Sequence, residues 1–288
     1  MKNHRTFFPL DQMARVLGVS CSGYYDFIKR QPSRRETENE EIVTKMRAIF
    51  KASHETYGSP RIHAELFEQG MPCSRRRVAR LMKNHNIQAK MYKKFVKTTK
   101  RSDKPSYPKQ DLIQQNFSTA APNQAWVADI SFIPICQRWA YLAVILDLFS
   151  RKIVGMALKD NMKTPLILEA LNQALLLRRP PSGLIHHSDL GSQYTSHDFY
   201  KVAQNYGIKL SHGKTGCAYD NAAMESFFHT LKTELTYFKN YKTLEEAKTD
   251  IFEYIFTFYN SKRRHSTLNY QNPTQWKNNY YQNQFISV

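Results

Sequence analysis

Asp129 stands in the middle of an apolar, β-prone run, and this placement constrains the fold more than any other feature of the chain. The run extends from Trp126 to Ile133 and has the composition of a buried strand. A carboxylate in a protein interior is unfavourable unless a cation or hydrogen bonds compensate it. A sheet that contains this run must therefore bring a compensating group to Asp129.

Two further carboxylates occur in equally specific contexts. Asp189 follows a short apolar stretch and precedes Gly191, and Glu225 lies in a helical run. Asp189 follows Asp129 by 60 positions, and 35 residues separate Asp189 from Glu225. Three carboxylates can converge where divalent cations occupy the space between them, so the set is a candidate metal site.

The order of the predicted elements after residue 116 indicates the fold class. Three β-prone runs at short spacing predict an antiparallel meander, and a helix, a strand, a helix, a strand and the Glu225 helix follow. Asp220 or Asn221 is the predicted N-cap of that helix, and a capping-box pattern at Thr243 predicts another helix, to about Tyr259. The strands are predicted at 126–135, 140–149, 152–158, 183–187 and 208–211, and the two intervening helices at 164–177 and 196–206.

The N-terminal third is predicted to be all-α. Two short helices surround a turn, a scaffold helix follows, and a second helical pair has Ser59 and Ser74 as its N-caps. Both pairs are typical of helix-turn-helix units, for which the alternative is an ordinary packing unit. The predicted helices cover residues 11–17, 22–29, 34–53, 59–69 and a run that begins after residue 74.

Arg75, Arg76 and Arg77 fall in the first turn of the last of these helices. Cations at a helix N-terminus oppose the helix dipole, so an anion should offset them. DNA phosphate is the natural candidate, which makes the three arginines predicted DNA-binding residues. The alternative is a charge run that is merely solvated.

The positive charge is concentrated near the N-terminus. The chain carries a net charge of +18, and residues 1–110 hold 24 of the 42 Lys and Arg and 10 of the 24 Asp and Glu, a net charge of +14. This third is therefore expected to bind a polyanion. The predicted domains are an N-terminal segment (1–33), a helical DNA-binding domain (34–89), a basic linker that tracks DNA or forms a tether (90–115), a catalytic core with a C-terminal helix (116–282) and a tail (283–288).

Composition excludes several classes of protein. The chain has no apolar run of about 18 residues, so a membrane span is not expected, and the N-terminus has no apolar stretch typical of a signal peptide. The four cysteines are scattered without a CxxC pair, which predicts reduced thiols and argues against a disulfide framework or a zinc site. A cytoplasmic location is expected.

Four blocks in this order resemble one family. The chain is similar to DDE transposases and retroviral integrases, and most closely to bacterial insertion-sequence transposases whose second reading frame carries an integrase-like core. The blocks are Trp126-x-x-Asp129, His187-Ser188-Asp189-x-Gly191-x-Gln193-Tyr194, Asp220-Asn221-Ala222-x-x-Glu225-Ser226-Phe227-Phe228 and Tyr259-Asn260-x-x-Arg263-Arg264-His265-Ser266-x-Leu268.

The resemblance implies an α/β ribonuclease H-like core, a mixed five-stranded sheet with flanking helices, preceded by an all-α helix-turn-helix DNA-binding region. It implies that Asp129, Asp189 and Glu225 are catalytic and hold two Mg²⁺ or Mn²⁺ ions, with Asp129 bridging them. It implies that Lys232 binds a DNA phosphate, the alternative being an exposed helix lysine. Asp147 is expected to be structural.

Arg263 and Arg264, with His265, form a basic cluster that is expected either to bind target or flanking DNA or to anchor the C-terminal tail. The glycines at 213 and 216 predict a mobile lid before the Glu225 helix. His187 and His229 are not assigned to the metal.

The resemblance also implies a function. A transposase of this kind binds the terminal inverted repeats of its element, cleaves DNA to a 3′-OH and transfers that end to target DNA, as an oligomer near the bacterial nucleoid. A partner or fusion from an upstream reading frame is expected. Two alternatives stay open: a metal nuclease of the same fold that does not join strands, and an inactive DNA-binding regulator.

Overall fold

The computed structural model describes residues 1–90, 110–136, 138–213 and 221–286. The chain forms two compact units: an N-terminal unit, Met1–Ala52 with Ile62–Gln88, and a core unit, Ser53–Arg61 with Ala89–Val288. Most of the predicted linker and residues 214–216 of the predicted lid lie outside the described residues. Within the described ranges, no helix combines the length and the apolar composition that a membrane crossing requires.

The N-terminal unit is helical, as predicted. Helix α1 ends at Gly18, whose left-handed backbone (φ 65°) terminates the helix, and Ser20 caps α2 by accepting a hydrogen bond from the Gly23 amide. Ser74 caps α5 in the same way through the Arg77 amide, which confirms the predicted cap. The helices of this part of the chain are α1 Leu10–Leu17, α2 Cys21–Lys29, α3 Arg34–Ala52, α4 Ser59–Glu68, whose first three residues belong to the core unit, and α5 Arg75–Asn84.

The core unit contains a five-stranded mixed sheet in the order β3-β2-β1-β4-β5. The first three strands form the predicted antiparallel meander, and β4 and β5 run parallel to β1. The strands are β1 Ala125–Ile135, β2 Arg138–Asp147, β3 Ile153–Lys159, β4 Ile185–Ser188 and β5 Lys209–His212. The helices are α6 Thr164–Arg178, α7 His197–Asn205, α8 Ala222–Glu234, α9 Leu244–Glu253 and α10 Pro273–Ile286.

Helix α6 packs closely against β3 and β2 through small residues. A Cβ atom at Gly155 would overlap the Ala170 carbonyl oxygen, so glycine permits the approach of helix to strand. Ala170, Leu171 and Ala174 of the helix are buried in the cluster that also contains Trp126 of β1. This packing buries one face of the sheet and holds β1, the strand that carries Asp129, in the interior of the core unit.

The C-terminal region departs from the prediction in two ways. The helix expected to reach Tyr259 is α-helical only to Glu253 and continues as a π-helical segment, Tyr254–Tyr259. Helix α10 was not predicted, and it includes residues 283–286, which were assigned to a tail. After the π segment, the Asn260 side chain exchanges two 2.9 Å hydrogen bonds with the backbone of Ile153, which ties this region to β3.

Candidate active site

Parallel pairing of β1 with β4 brings Asp129 and Asp189 to the same end of the sheet. Trp126 pairs with His186 and Val127 with His187, so the same register continued by two residues sets Asp189 beside Asp129. Asp189 is the first residue after β4, at its carboxyl end. The carboxyl end of β4 thus lies beside the middle of β1, which places two carboxylates from distant parts of the chain side by side.

Helix α8 begins beside Asp129 because Asn221 reaches across to β1. The Asn221 Nδ2 donates a 3.2 Å hydrogen bond to the Ala128 carbonyl oxygen. Asn221 occupies the N-cap position of α8, as predicted, but its side chain makes no capping hydrogen bond. Asp220, the alternative cap, lies outside the described residues. The contact with β1 brings the first turn of α8, and Glu225 with it, towards Asp129.

Asp129 experiences the charge of both other carboxylates. Burial, then the Asp189 carboxylate and, more weakly, the Glu225 carboxylate raise the pKa of Asp129 to about 7. The Ile130 amide donates a 2.8 Å hydrogen bond to Asp129 Oδ1 and acts in the opposite direction, as does the Lys232 ammonium. Asp189 and Glu225 thus both act on Asp129, and the effect of Lys232 does not cancel theirs.

Lys232 is partly buried and faces Asp129. Burial lowers the pKa of Lys232, and the Asp129 carboxylate opposes that shift. Lys232 follows Glu225 by seven residues on α8, which is nearly the same face of the helix but about 10 Å further along its axis. In the structure, the carboxylate that acts on Lys232 is Asp129, which lies on β1. This placement differs from that of an exposed helix lysine.

Asp189 lies in a tight turn. Its Oδ1 accepts a 3.1 Å hydrogen bond from the Gly191 amide, and its side chain is otherwise exposed. A Cβ atom at Gly191 would lie 3.0 Å from Asp189 Oδ1 and 2.9 Å from Gln193 Oε1. The absence of a side chain at Gly191 therefore leaves room for the Asp189 carboxylate, and Gly191 belongs to the motif that carries the family resemblance.

Sequence reasoning did not assign a role to the aromatic and imidazole groups around Asp189. Tyr194 is buried, and burial together with Asp129 and Asp189 raises the pKa of its hydroxyl. His212 of β5 approaches the Asp189 carbonyl oxygen at 3.3 Å through Nδ1, and His187 contacts the Ser211 hydroxyl at 2.8 Å. These residues shape the wall of the site, and the only sequence signal for them is the motif that contains His187 and Tyr194.

The donor chemistry of the three carboxylates fits a hard divalent cation. Among the described residues, no three His, Cys, Asp or Glu side chains lie close enough together to hold a metal ion as the structure stands. Burial and the neighbouring Asp189 and Glu225 carboxylates raise the pKa of Asp129, and Mg²⁺ prefers carboxylate oxygen. A cation bound between these groups would remove the electrostatic penalty that the protein leaves uncompensated.

Asp147 has a structural role, as expected. It is fully buried at the end of β2, where its oxygens accept hydrogen bonds from the Asn123 and Ser150 amides and from the Ser150 hydroxyl. The Arg178 guanidinium lies 3.7 Å from Asp147 Oδ2. These contacts compensate the Asp147 charge locally.

The predicted DNA-binding arginines fall into two groups. Arg75 and Arg76 are exposed, whereas Arg77 donates to Asn39 at 2.9 Å and pairs with Glu38 at 3.3 Å. Arg263 and Arg264 are buried, which favours the anchoring alternative over an exposed DNA-binding cluster. Arg263 binds Glu234 through two hydrogen bonds of 2.8 and 2.7 Å, and Arg264 donates to the Tyr270 carbonyl oxygen at 2.9 Å.

Comparison with known protein families agrees with this architecture. Residues 119–218 and 206–273 match two families described as integrase core domains, and residues 37–95 match an HTH-like domain. The HTLV-2 integrase catalytic core domain, solved in complex with magnesium, superposes with a TM-score of 0.44 and 20% identity over 55% of this chain and 98% of that one. The fold and the family matches define a polynucleotidyl transferase of the integrase-core class with an N-terminal HTH-like domain.

Relatives of nearly full length narrow the class further. The chain is 40% identical over 271 residues to the insertion element IS600 uncharacterized 31 kDa protein of Shigella sonnei, covering 94% of this chain and 99% of that protein. It is 34% identical over 281 residues to the transposase InsF for insertion sequence IS3A of Escherichia coli K12, covering 96% of this chain and 97% of that protein. The chain belongs to this family of insertion-sequence transposases.

Proposed function

We propose that the chain binds the ends of its own insertion element, cleaves DNA to expose a 3′-OH and joins that end to target DNA. The observation that carries this proposal is the electrostatic coupling of Asp129, Asp189 and Glu225, which lie on β1, after β4 and on α8. Full-length relatives named as transposases support it. DNA is the partner, an oligomer on paired ends is the active form, and the bacterial nucleoid in the cytoplasm is the place of action.

The three carboxylates would hold two Mg²⁺ or Mn²⁺ ions. Bound there, these cations would polarise the phosphodiester and stabilise the negative charge that develops on its oxygens. Asp129 is suited to the shared position because the other two carboxylates both act on it. Lys232 would hold a DNA phosphate beside the three carboxylates, and Asn221 would keep α8, and therefore Glu225, against β1.

The experiment that tests the function measures joining and cleavage together. The protein is incubated with labelled duplexes that carry the element ends, unlabelled target DNA and Mg²⁺, and the products are separated by length. Products longer than the substrate support strand transfer. Cleavage without longer products would favour the metal-nuclease alternative, and binding without either reaction would favour the inactive regulator or a requirement for an upstream-frame partner.

Loss of the Lys232 charge is expected to lower joining without preventing metal binding. Lys232→Ala removes one charge-assisted phosphate contact, worth about 1.5–3 kcal/mol, so joining at saturating Mg²⁺ should fall by roughly 10- to 150-fold. Lys232→Arg should recover part of the rate because it keeps the charge but changes the shape. Lys201→Ala, on the exposed surface of α7, is the control. Equal rates for Lys232, its Arg and Ala variants and the control would contradict the role.

The two exposed arginines of α5 are expected to contribute to the salt dependence of DNA binding. Each phosphate contact contributes about 0.9 to the slope of log K against log salt, so Arg75→Gln with Arg76→Gln should flatten the slope by about 2. Arg77→Gln should change it less, because Arg77 is already paired with Glu38. Lys45→Gln with Arg47→Gln removes two exposed charges from α3 and serves as the control. An unchanged slope in the Arg75→Gln, Arg76→Gln variant would show that these two arginines are solvated and contact no DNA phosphate.

A further inference from the structure

A cavity with both polar and apolar lining residues lies beside α8, and the carboxylate triad does not line it. Its volume is about 290 Å³, at the small end of ligand pockets. Helix α8 presents Ser226 and Thr230, one turn apart, and the exposed residues Ser266 and Thr267 lie at its margin. The cavity therefore has hydroxyl groups on two sides and opens to solvent.

Three arginines from distant parts of the core unit meet at this cavity. Arg61 comes from the segment Ser53–Arg61, Arg151 from the turn between β2 and β3, and Arg263 from the chain after the π-helical segment. No aspartate or glutamate is among the described residues that line it. A cavity with three cationic side chains and no lining carboxylate has a positive potential.

Glu234 compensates two of the arginines only in part. It accepts two hydrogen bonds from Arg263, at 2.8 and 2.7 Å, and lies 3.5 Å from Arg61. The Tyr254 hydroxyl also donates to it at 2.8 Å. One carboxylate thus serves two guanidinium groups, and its oxygens are largely occupied by Arg263. Arg61 keeps the longer, 3.5 Å contact with Glu234, lies 5.6 Å from the centre of the Tyr57 ring and lines the cavity with its positive charge.

Arg151 contributes charge without a close carboxylate. Its Nη2 donates a 3.1 Å hydrogen bond to the Phe117 carbonyl oxygen, a neutral acceptor. The Tyr259 hydroxyl and, more weakly, the Asp147 carboxylate, whose oxygens already accept from Asn123 and Ser150, favour the charged form of Arg151. Burial lowers the pKa of Arg151. A guanidinium that is partly buried beside an open cavity and hydrogen-bonded there to a neutral carbonyl is suited to an anionic ligand.

His265 responds to the same excess of positive charge. Burial, then Arg263, Arg61 and Arg151, hold the pKa of His265 well below its ordinary value, so the ring is neutral. Arg263 Nη1 approaches His265 Nε2 at 3.5 Å, which leaves the ring proton on Nδ1. The imidazole therefore accepts from Arg263 and adds no charge of its own.

We propose that this cavity binds one phosphate group, held by Arg151 and Arg61 and by the hydroxyls of Ser226 and Thr230. Guanidinium groups bind phosphate through paired, charge-assisted hydrogen bonds, and neutral hydroxyls add donors at little cost in desolvation. The proposal rests on the proposed function, since bound element DNA would supply a phosphodiester close to α8. A free phosphate ion or nucleotide has the same recognition chemistry.

The test uses the full-length chain and two probes. Inorganic phosphate is titrated calorimetrically, and binding is measured for a series of element-end duplexes that each carry one neutral methylphosphonate. Arg151→Gln and Arg61→Gln are compared with Arg179→Gln. Arg179 is a matched control because it is an exposed arginine that, like Arg151, has a left-handed backbone (φ 42° and 58°). Thr230→Val removes a hydroxyl with little change of shape, and thermal unfolding verifies that each variant folds.

If a DNA phosphate occupies the cavity, the effect of one methylphosphonate on binding should depend on whether Arg151 is present. One methylphosphonate position should weaken binding of the unaltered chain and of Arg179→Gln by about 10- to 150-fold and should have little effect on Arg151→Gln. If the cavity instead binds a free phosphate ion, Arg151→Gln and Thr230→Val should weaken binding of inorganic phosphate. In that case the effect of every methylphosphonate position on DNA binding should be the same with and without Arg151. Both results support the site and identify the source of its ligand.

The proposal is overturned if Arg151→Gln, Arg61→Gln and Thr230→Val, all folded, behave as Arg179→Gln does with both probes. Its failure is distinct from failure of the proposed function. Phosphate binding that depends on Arg151 in a protein that joins no DNA would refute the function alone. If the chain joins DNA but Arg151→Gln, Arg61→Gln and Thr230→Val bind both probes as Arg179→Gln does, only the proposed phosphate site is refuted.

Discussion

Asp129→Asn, Asp189→Asn and Glu225→Gln are each expected to reduce strand cleavage and joining by roughly 1,000-fold or more. Cation-assisted stabilisation of a phosphoryl transition state is worth several kcal/mol, and each 1.36 kcal/mol corresponds to a factor of ten in rate. The amides keep the shape of the side chains and remove the charge. Rates are measured with the labelled element-end substrate at saturating Mg²⁺, and end binding is measured separately.

The chain offers controls matched in chemistry and position. Glu245→Gln removes a carboxylate from the first turn of α9, as Glu225→Gln does from the first turn of α8. Asp198→Asn removes an exposed carboxylate from the first turn of α7. Both controls should retain joining within a few-fold. A triad variant that joins DNA as well as these controls would remove that residue from the proposed site.

Folding stability separates the catalytic effect from a structural one. Because the pKa of Asp129 is raised from 3.8 to about 7, the folded metal-free protein binds a proton more tightly than the unfolded chain. Stability should therefore fall as pH rises from about 4 to 7 and stay lower above that range. Asp129→Asn cannot ionise, so its stability should not fall in this way. At pH 8 it should unfold at an equal or higher temperature than the unaltered protein. A large destabilisation there would indicate a structural role instead.

Removal of divalent metal is expected to abolish cleavage and joining. Activity should require Mg²⁺ or Mn²⁺, should be poorly supported by Ca²⁺, which prefers longer bonds and looser coordination, and should return when Mg²⁺ is added in excess of chelator. End binding through the N-terminal helices should persist in chelator. Full joining in excess chelator would refute the proposed two-metal mechanism.

The metal requirement should also depend on pH. A cation competes with the proton on Asp129, whose pKa is about 7 without metal, so the Mg²⁺ concentration for half-maximal activity should rise as pH falls from 8 to 6. At saturating Mg²⁺ this part of the pH dependence should diminish. An apparent Mg²⁺ affinity that is constant over this range would show that Asp129 does not exchange a proton for the cation.

Local sequence patterns predicted the elements of the fold well. Helix boundaries depend on neighbouring residues, and Ser74 and Thr243 accept hydrogen bonds from the amides three residues later, at 3.2 and 3.1 Å, as their patterns indicated. The order of strands and helices in the core unit also matched the prediction. The π-helical segment at Tyr254–Tyr259 and helix α10 were not predicted. Helix α10 does have a local signal, because Asn272 accepts a 2.8 Å hydrogen bond from the Gln275 amide and Pro273 is the first helical residue, whereas no local pattern indicated the π-helical segment.

The sequence by itself determined that Asp129 lies in a buried strand and needs compensation, and its motifs singled out Asp189 and Glu225 as partners. Only the tertiary structure decided which groups act on Asp129, because Lys232 on α8 acts on it across more than 90 residues of sequence, and Asn221 holds the start of α8 to the Ala128 carbonyl oxygen of β1. The same holds for Arg263, for which the sequence left DNA binding and anchoring as alternatives and which the structure buries against Glu234. Periodicity and capping act over a few residues, whereas the compensation of a buried charge depends on which distant side chains the packed fold brings within a few ångströms.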